Sequence, residues 1–197
     1  LDINELVKDN EGGIWVLTEH SGVMHISPRN KRFYNHNIPG NYMVNAFCQG
    51  MEDNTILVGS QNGLYKYDIE KNLLEESPSG TNLKYDIRSL CRNNNELWIG
   101  TLSDGVIVMD LTTGKTKHYV SSFNSPNTIT SNNIKKILRT KGGDIIIGTN
   151  WGVCYYDKKH DNFRTETILG AMMAIAIYMR MAKIISGLPQ ITEECTG

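Results

Sequence analysis

The side chains able to do chemistry are few and scattered. Five histidines (His20, His25, His36, His118 and His160) show no repeated spacing to acids or cysteines, so they form no metal-ligand pattern. The four cysteines lack any CxxC or Cys/His spacing, and Cys48, Cys91 and Cys154 sit inside apolar runs, where a free thiol behaves as a small hydrophobe. Asp9, Asp53, Asp68, Asp110 and Asp157 fall in turns or at strand ends, where a carboxylate caps local N–H groups. Gly12-Gly13 and Gly142-Gly143 read as hairpin turns and not as a phosphate loop. The expectation is therefore no catalytic residues, no metal and no cofactor. Recognition is the better use of what remains. Short polar turns hold His20, Gln61 and Asn62, Ser103 and Asp104, and Asn150 and Trp151. Amides beside an aromatic face suit a sugar ring, which has apolar C–H faces and peripheral hydroxyls. Trp151 has a second reading, packing between neighbouring structural units.

Bulk properties narrow the class. Among 197 residues, Lys plus Arg number 20 and Asp plus Glu 21. A net charge near zero gives no electrostatic reason to expect nucleic acid or an anionic membrane as partner. Eighteen glycines against five prolines suit many tight turns between short strands. No basic-then-apolar segment follows Leu1, so a signal peptide is expected to be absent or already removed.

The elements that must position those turns come from a repeat. Ile14-Trp15-Val16-Leu17-Thr18 recurs as Ile56-Leu57-Val58-Gly59-Ser60, as Leu97-Trp98-Ile99-Gly100-Thr101 and as Ile145-Ile146-Ile147-Gly148-Thr149. Positions 17, 59, 100 and 148 are equivalent, giving steps of 42, 41 and 48 residues. Each copy leads through a glycine turn (Gly22, Gly63, Gly105, Gly152) into a second strand, which ends in Asp68, Asp110 or Asp157 in three copies. An alternating segment precedes each copy and places Val7, Cys48, Cys91 and Leu138 in one column. A short outer strand closes each unit. Four strands per unit of about 40 residues predict an all-β fold, a β-propeller fragment of about four four-stranded blades. The blades are expected at about 1–42, 43–84, 85–130 and 131–166, with 121–133 as the longer connection behind the 48-residue step. The nearly all-apolar Trp-Ile-Gly-Thr strand must be covered on both faces, which neighbouring blades do. Trp15 and Trp98 are expected in the core. The glycine of that strand would admit a backbone or a large ring.

A polar turn leading into LWIGT, then GL or GV, then a strand ending in Asp resembles the two-component-regulator propeller repeat, as does the lead-in SPNTITSNNI. The likeness covers roughly residues 1–166. The first unit departs from it with Val-Leu-Thr, and the second has Leu57 in place of Trp. The resemblance implies a periplasmic sensor region of a hybrid two-component system, binding or relaying an oligosaccharide. It also implies further blades, and a downstream kinase that this segment does not contain. The parent is expected to be a homodimer. The alternatives are a protein-interaction or dimerisation propeller without a small ligand, and an enzyme built on a propeller. The enzyme would need His and acid residues clustered on the channel side, where the inner strands carry mostly Asn, Ser, Lys and Arg. Four such blades do not normally close a ring, so the isolated chain is expected to associate through open faces.

Residues 167–197 break the pattern: alternation ends and methionine becomes dense. The span from Ile168 to Gly187 is long enough for a membrane helix, but Arg180 and Lys183 lie within it. An amphipathic helix is a second reading. The third is a shifted reading frame: the codons of Met172-Met173-Ala174 then force Asp-Gly, and Ser186 to Gln190 permit Trp-Ile-Ala-Thr. On that reading the tail is a misread fifth blade, about 41 residues after the fourth.

Overall fold

The computed structural model describes residues 3–8, 12–18, 23–26, 33–36, 42–71, 73–76, 83–125 and 127–167. His20 and the tail from residue 168 lie outside them, as do the three readings of that tail. The described residues form sixteen strands in four sheets. The first sheet holds β1 (Ile3–Lys8), β2 (Ile14–Thr18), β3 (Val23–Ile26) and β4 (Phe33–His36). The second holds β5 (Val44–Gln49), β6 (Thr55–Ser60), β7 (Gly63–Asp68) and β8 (Leu73–Glu76). The third holds β9 (Ile87–Asn93), β10 (Glu96–Thr101), β11 (Val106–Asp110) and β12 (Thr116–Tyr119). The fourth holds β13 (Ile134–Arg139), β14 (Ile145–Thr149), β15 (Gly152–Asp157) and β16 (Asn162–Thr167). Each sheet is antiparallel with its strands in sequence order, which makes a four-bladed β-propeller arrangement.

The core lies between blades. Trp15 and Leu17 pack with Val44, Val58 and Tyr67 of the second blade. Leu57 and Leu64 pack with Ile87, Leu90 and Met109 of the third. Trp98 and Val106 pack with Ile134, Ile147 and Phe163 of the fourth. The alternating column pairs in register with the tryptophan column: Val7 with Trp15, Cys48 with Leu57, Cys91 with Trp98 and Leu138 with Ile146. Trp15 and Trp98 are 2% and 1% exposed, as the strand pattern requires.

The glycine in the motif has a different partner from the backbone or ring expected. A Cβ on Gly59 would lie 2.5 Å from Ile87 Cγ2, and one on Gly100 would lie 2.5 Å from Ile134 Cγ2. The space admits the branched first residue of the next blade's inner strand. Across the same interfaces a second column matches by shape. Trp15 meets the edge of Tyr67 at 5.6 Å, and Trp98 meets Tyr156 at 4.7 Å. Where the second blade has Leu57 instead of Trp, the next blade supplies Met109.

Polar contacts fix the spacing of the blades. Every inner strand slips register once, after Ile3, Val44, Ile87 and Ile134, leaving Asn4, Asn45, Arg88 and Lys135 at equivalent bulges. From its bulge Asn45 donates to the Ile87 carbonyl at 2.9 Å, and the buried Ser89 hydroxyl accepts from Ile137 N–H at 2.9 Å. At the outer edge Tyr119 and Tyr156 both donate to Asp161, at 2.5 and 2.8 Å. The strand-end aspartates act as local caps. Asp110 accepts from Thr112 N–H at 3.0 Å and Thr113 N–H at 2.7 Å, and Asp68 accepts from Lys71 N–H at 3.0 Å. The Thr113 N–H holds Asp110 below the usual carboxylate range, and the Lys71 N–H does the same for Asp68. In the connection at 121–133, Ile129 is buried and Asn127 C=O accepts from Phe163 N–H at 3.1 Å, so the extra residues pack against the fourth blade.

Cys48, Cys91 and Cys154 are free thiols. Burial pushes Cys48 up to about 12 and Cys91 up to about 11, from 9.0. A thiol whose value is raised by folding stabilises the fold fully below its unfolded value, and that contribution is lost as pH rises through the folded value. Stability should therefore fall between about pH 9 and pH 12 more steeply in the wild type than in Cys48→Ala/Cys91→Ala, by urea denaturation. Trp98→Ala should cost about 3–5 kcal/mol. Gly100→Ala should cost about 1–3 kcal/mol by overpacking against Ile134, and the double variant Gly100→Ala/Ile134→Ala should lose less than the sum of the two single variants in urea denaturation.

Candidate functional site

Strand direction sorts the loops onto two ends. The turns after β6, β10 and β14 lie at the end where each inner strand begins, and hydrogen bonds tie them there. Gln61 N–H donates to Met43 C=O at 3.0 Å, Leu102 N–H to Asp86 C=O at 2.9 Å and Asn150 N–H to Asn133 C=O at 3.2 Å. Each turn is thus bonded to the connection that enters its own blade. These turns hold the candidate residues Gln61, Asn62, Ser103, Asp104, Asn150 and Trp151.

A buried hydroxyl shapes each turn. Ser60 Oγ accepts from Asn62 N–H at 3.1 Å and donates to Gly63 C=O at 3.2 Å. Thr101 Oγ1 accepts from Asp104 N–H at 2.8 Å and donates to Gly105 C=O at 2.9 Å. Thr149 Oγ1 accepts from Trp151 N–H at 3.1 Å and donates to Gly152 C=O at 3.2 Å. The closing glycines carry φ of +127°, +78° and +152°, and Gly63 and Gly105 each have a backbone oxygen within 2.7 Å of where a Cβ would stand. The turn is therefore set by one hydroxyl and one glycine per blade, which leaves the residues between them free to vary.

The candidates differ in what they offer. Trp151 is 59% exposed against the described residues. Asn150 beside it is exposed. Ser103 is exposed and donates to Asp104 Oδ2 at 2.9 Å, while Asp104 is half-buried. Gln61 is largely used within the fold, because its Oε1 accepts from Met43 N–H at 3.4 Å. Asn62 hydrogen-bonds the Tyr65 phenol, whose pKa is raised by burial. The turns sit on separate blades, and among the described residues no hydrogen bond joins one of these turns to another.

Three features of this end were not singled out from the sequence. The hydroxyls of Ser60, Thr101 and Thr149 build the turns, and their recurrence at the last position of the motif strand was the available signal. His118 stands with Nε2 against the Asp104 carbonyl, and Tyr85 lies 6.3 Å from the His118 ring. No sequence signal joins that pair to Asp104. Among the described residues no group of His, Cys, Asp and Glu could hold a metal ion, and no helix is long and apolar enough to cross a membrane.

No protein-family model matches the chain, and no curated protein matches it. Solved structures do. An extracellular domain assigned to a hybrid two-component system of B. thetaiotaomicron superposes with a TM-score of 0.71 at 22% identity, over 83% of this chain and 21% of that one. A second such domain from the same organism gives 0.69 at 18% identity, over 85% of this chain and 24% of that one. Virginiamycin B lyase of Staphylococcus aureus gives 0.66 at 12% identity, over 85% and 56%. The likeness is one of fold. The chain spans less than a quarter of the two extracellular domains, and the same blades also carry an enzyme.

Thr101→Val keeps the shape of the side chain and removes both of its bonds in a buried position. It should cost about 1–3 kcal/mol in urea denaturation and leave the Asp104 N–H without its acceptor. Faster amide exchange at Asp104 than at the equivalent Asn62 would localise the loss to that turn.

Proposed function

We propose that this chain is part of an extracytoplasmic, periplasmic sensor propeller in a two-component signalling protein, and that its turn face takes an oligosaccharide. The observation that carries the reading is the exposed indole of Trp151 next to Asn150, held on a turn fixed by Thr149. An aromatic face with adjacent amide groups matches the alternating apolar and hydroxylated surface of a pyranose ring. Ser103, Asp104 and His118 offer further polar contacts on the third blade. The propeller likeness to extracellular domains of hybrid two-component systems and the resemblance of the LWIGT repeat support the same class. Catalysis is not part of the proposal: His118 meets the backbone oxygen of Asp104, and His160 bonds Asp157 in a strand-end turn.

A glycan array probed with the full chain, followed by calorimetry on the best hit, tests this. Saturable oligosaccharide binding should weaken at least tenfold in Trp151→Ala, while the unfolding midpoint stays unchanged. Absence of glycan binding, together with concentration-dependent self-association that Trp151→Ala disrupts, would instead favour the dimerisation propeller.

A further inference from the structure

None of the turns after β6, β10 and β14 bonds another directly, yet one segment bonds two of them. Residues 129–133, at the end of the long connection, pass from the third blade's turn to the fourth's. On the third-blade side Asn132 C=O accepts from Gly105 N–H at 3.0 Å, and Asn132 Oδ1 accepts from Ser121 N–H at 2.7 Å. Gly105 is the glycine that closes the turn of Ser103 and Asp104. On the fourth-blade side Asn133 C=O accepts from Asn150 N–H at 3.2 Å, and Thr130 Oγ1 lies 2.7 Å from Thr149 Oγ1. The Thr149 hydroxyl already donates to Gly152 C=O, so Thr130 is the donor of that pair. Ile129, buried in the core between the two blades, anchors the segment. Gln61 N–H, by contrast, donates to Met43 C=O in the entry to the second blade.

The segment therefore holds Asp104 and Trp151 in one frame. Both occupy the same place in their turns, with N–H groups 2.8 Å from Thr101 Oγ1 and 3.1 Å from Thr149 Oγ1. Packed sheets stand about 10 Å apart, so these two places are separated by about the length of two linked sugar rings. Their chemistries differ. An indole face covers the apolar side of one ring, whereas a carboxylate only accepts hydrogen bonds and has room for several donors. Asp104 takes one of them from the Ser103 hydroxyl at 2.9 Å. Fixing two such groups before a ligand arrives lowers the ordering cost of binding.

We infer that the third- and fourth-blade turns form one two-part surface for an oligosaccharide of at least two rings, one ring stacked on Trp151 and the next donating hydroxyl protons to Asp104. Thr130 is a positioning residue for this surface. The inference rests on the oligosaccharide reading of Trp151 and adds to it the size of the ligand and its second contact. A single ring reaches only one of the two groups.

Coupling of the turns is measured without ligand, by amide exchange on the full chain. Thr101→Val, in the third blade, should quicken exchange at Asn150 in the fourth several-fold and leave Gln61 in the second unchanged. Unchanged exchange at Asn150, or equal quickening at Gln61, would overturn the inference. Binding is measured by calorimetry with xylobiose, cellobiose, maltose and mannobiose, each beside its monosaccharide. At least one disaccharide should bind at least tenfold more tightly than its single ring. Asp104→Ala should remove most of that margin and leave the affinity for the single ring unchanged. Thr130→Val should weaken the disaccharide several-fold, and Thr130→Ser should restore it. Equal binding of disaccharide and single ring, both lost in Trp151→Ala, would overturn the two-part surface and leave the reading of Trp151 standing. No binding of any of these sugars would overturn that reading and this inference with it.

Discussion

Strands β6, β10 and β14 are apolar on both faces, and an isolated four-stranded sheet has nothing with which to cover them. The solution is contact between blades at a fixed distance. That distance is set where Gly59 and Gly100 receive Ile87 and Ile134, because any side chain at the glycine would hold the blades apart. With that spacing, Trp98 reaches Tyr156, Ser89 reaches the Ile137 amide and Tyr119 shares Asp161 with Tyr156. The turn face depends on it as well, since each turn is bonded to a connection whose course follows the blade it enters.

The architecture was legible because its cause is repeated. One strand type, one glycine turn and one terminal aspartate recur at nearly constant steps, and no single-domain core of another kind would require that. Pairing across blades was half visible. The columns could be aligned, but which residue of the next blade enters beside the glycine depends on stacking geometry, and an isoleucine stands where a ring or backbone was expected. The turn that carries Trp151 follows from Thr149, whose hydroxyl bonds the Trp151 N–H and the Gly152 carbonyl. Tyr85 and His118 are 33 residues apart in the chain, and only the stacking of connection on blade brings them together.

The two ends of the inner strands differ in chemistry for a simple reason. Where these strands begin, backbone groups and the turn hydroxyls satisfy one another and tie each turn to the connection that enters its blade. Where they finish, arginine side chains bond carbonyl and amide oxygens and keep their charge.

The glycine-to-isoleucine contact also gives the blade a polarity. The third blade carries a recess at Gly100 on one face and, on the other, Ile87, which fills the recess at Gly59 of the second blade, so its two faces are complementary and not alike. Stacking through them is heterologous: a further blade, from the same chain or another molecule, can join only head to tail. A two-fold axis through this interface would set recess against recess, or isoleucine against isoleucine. Any symmetric pairing of such propellers must therefore use other surfaces, leaving the stacking faces for growth of the ring.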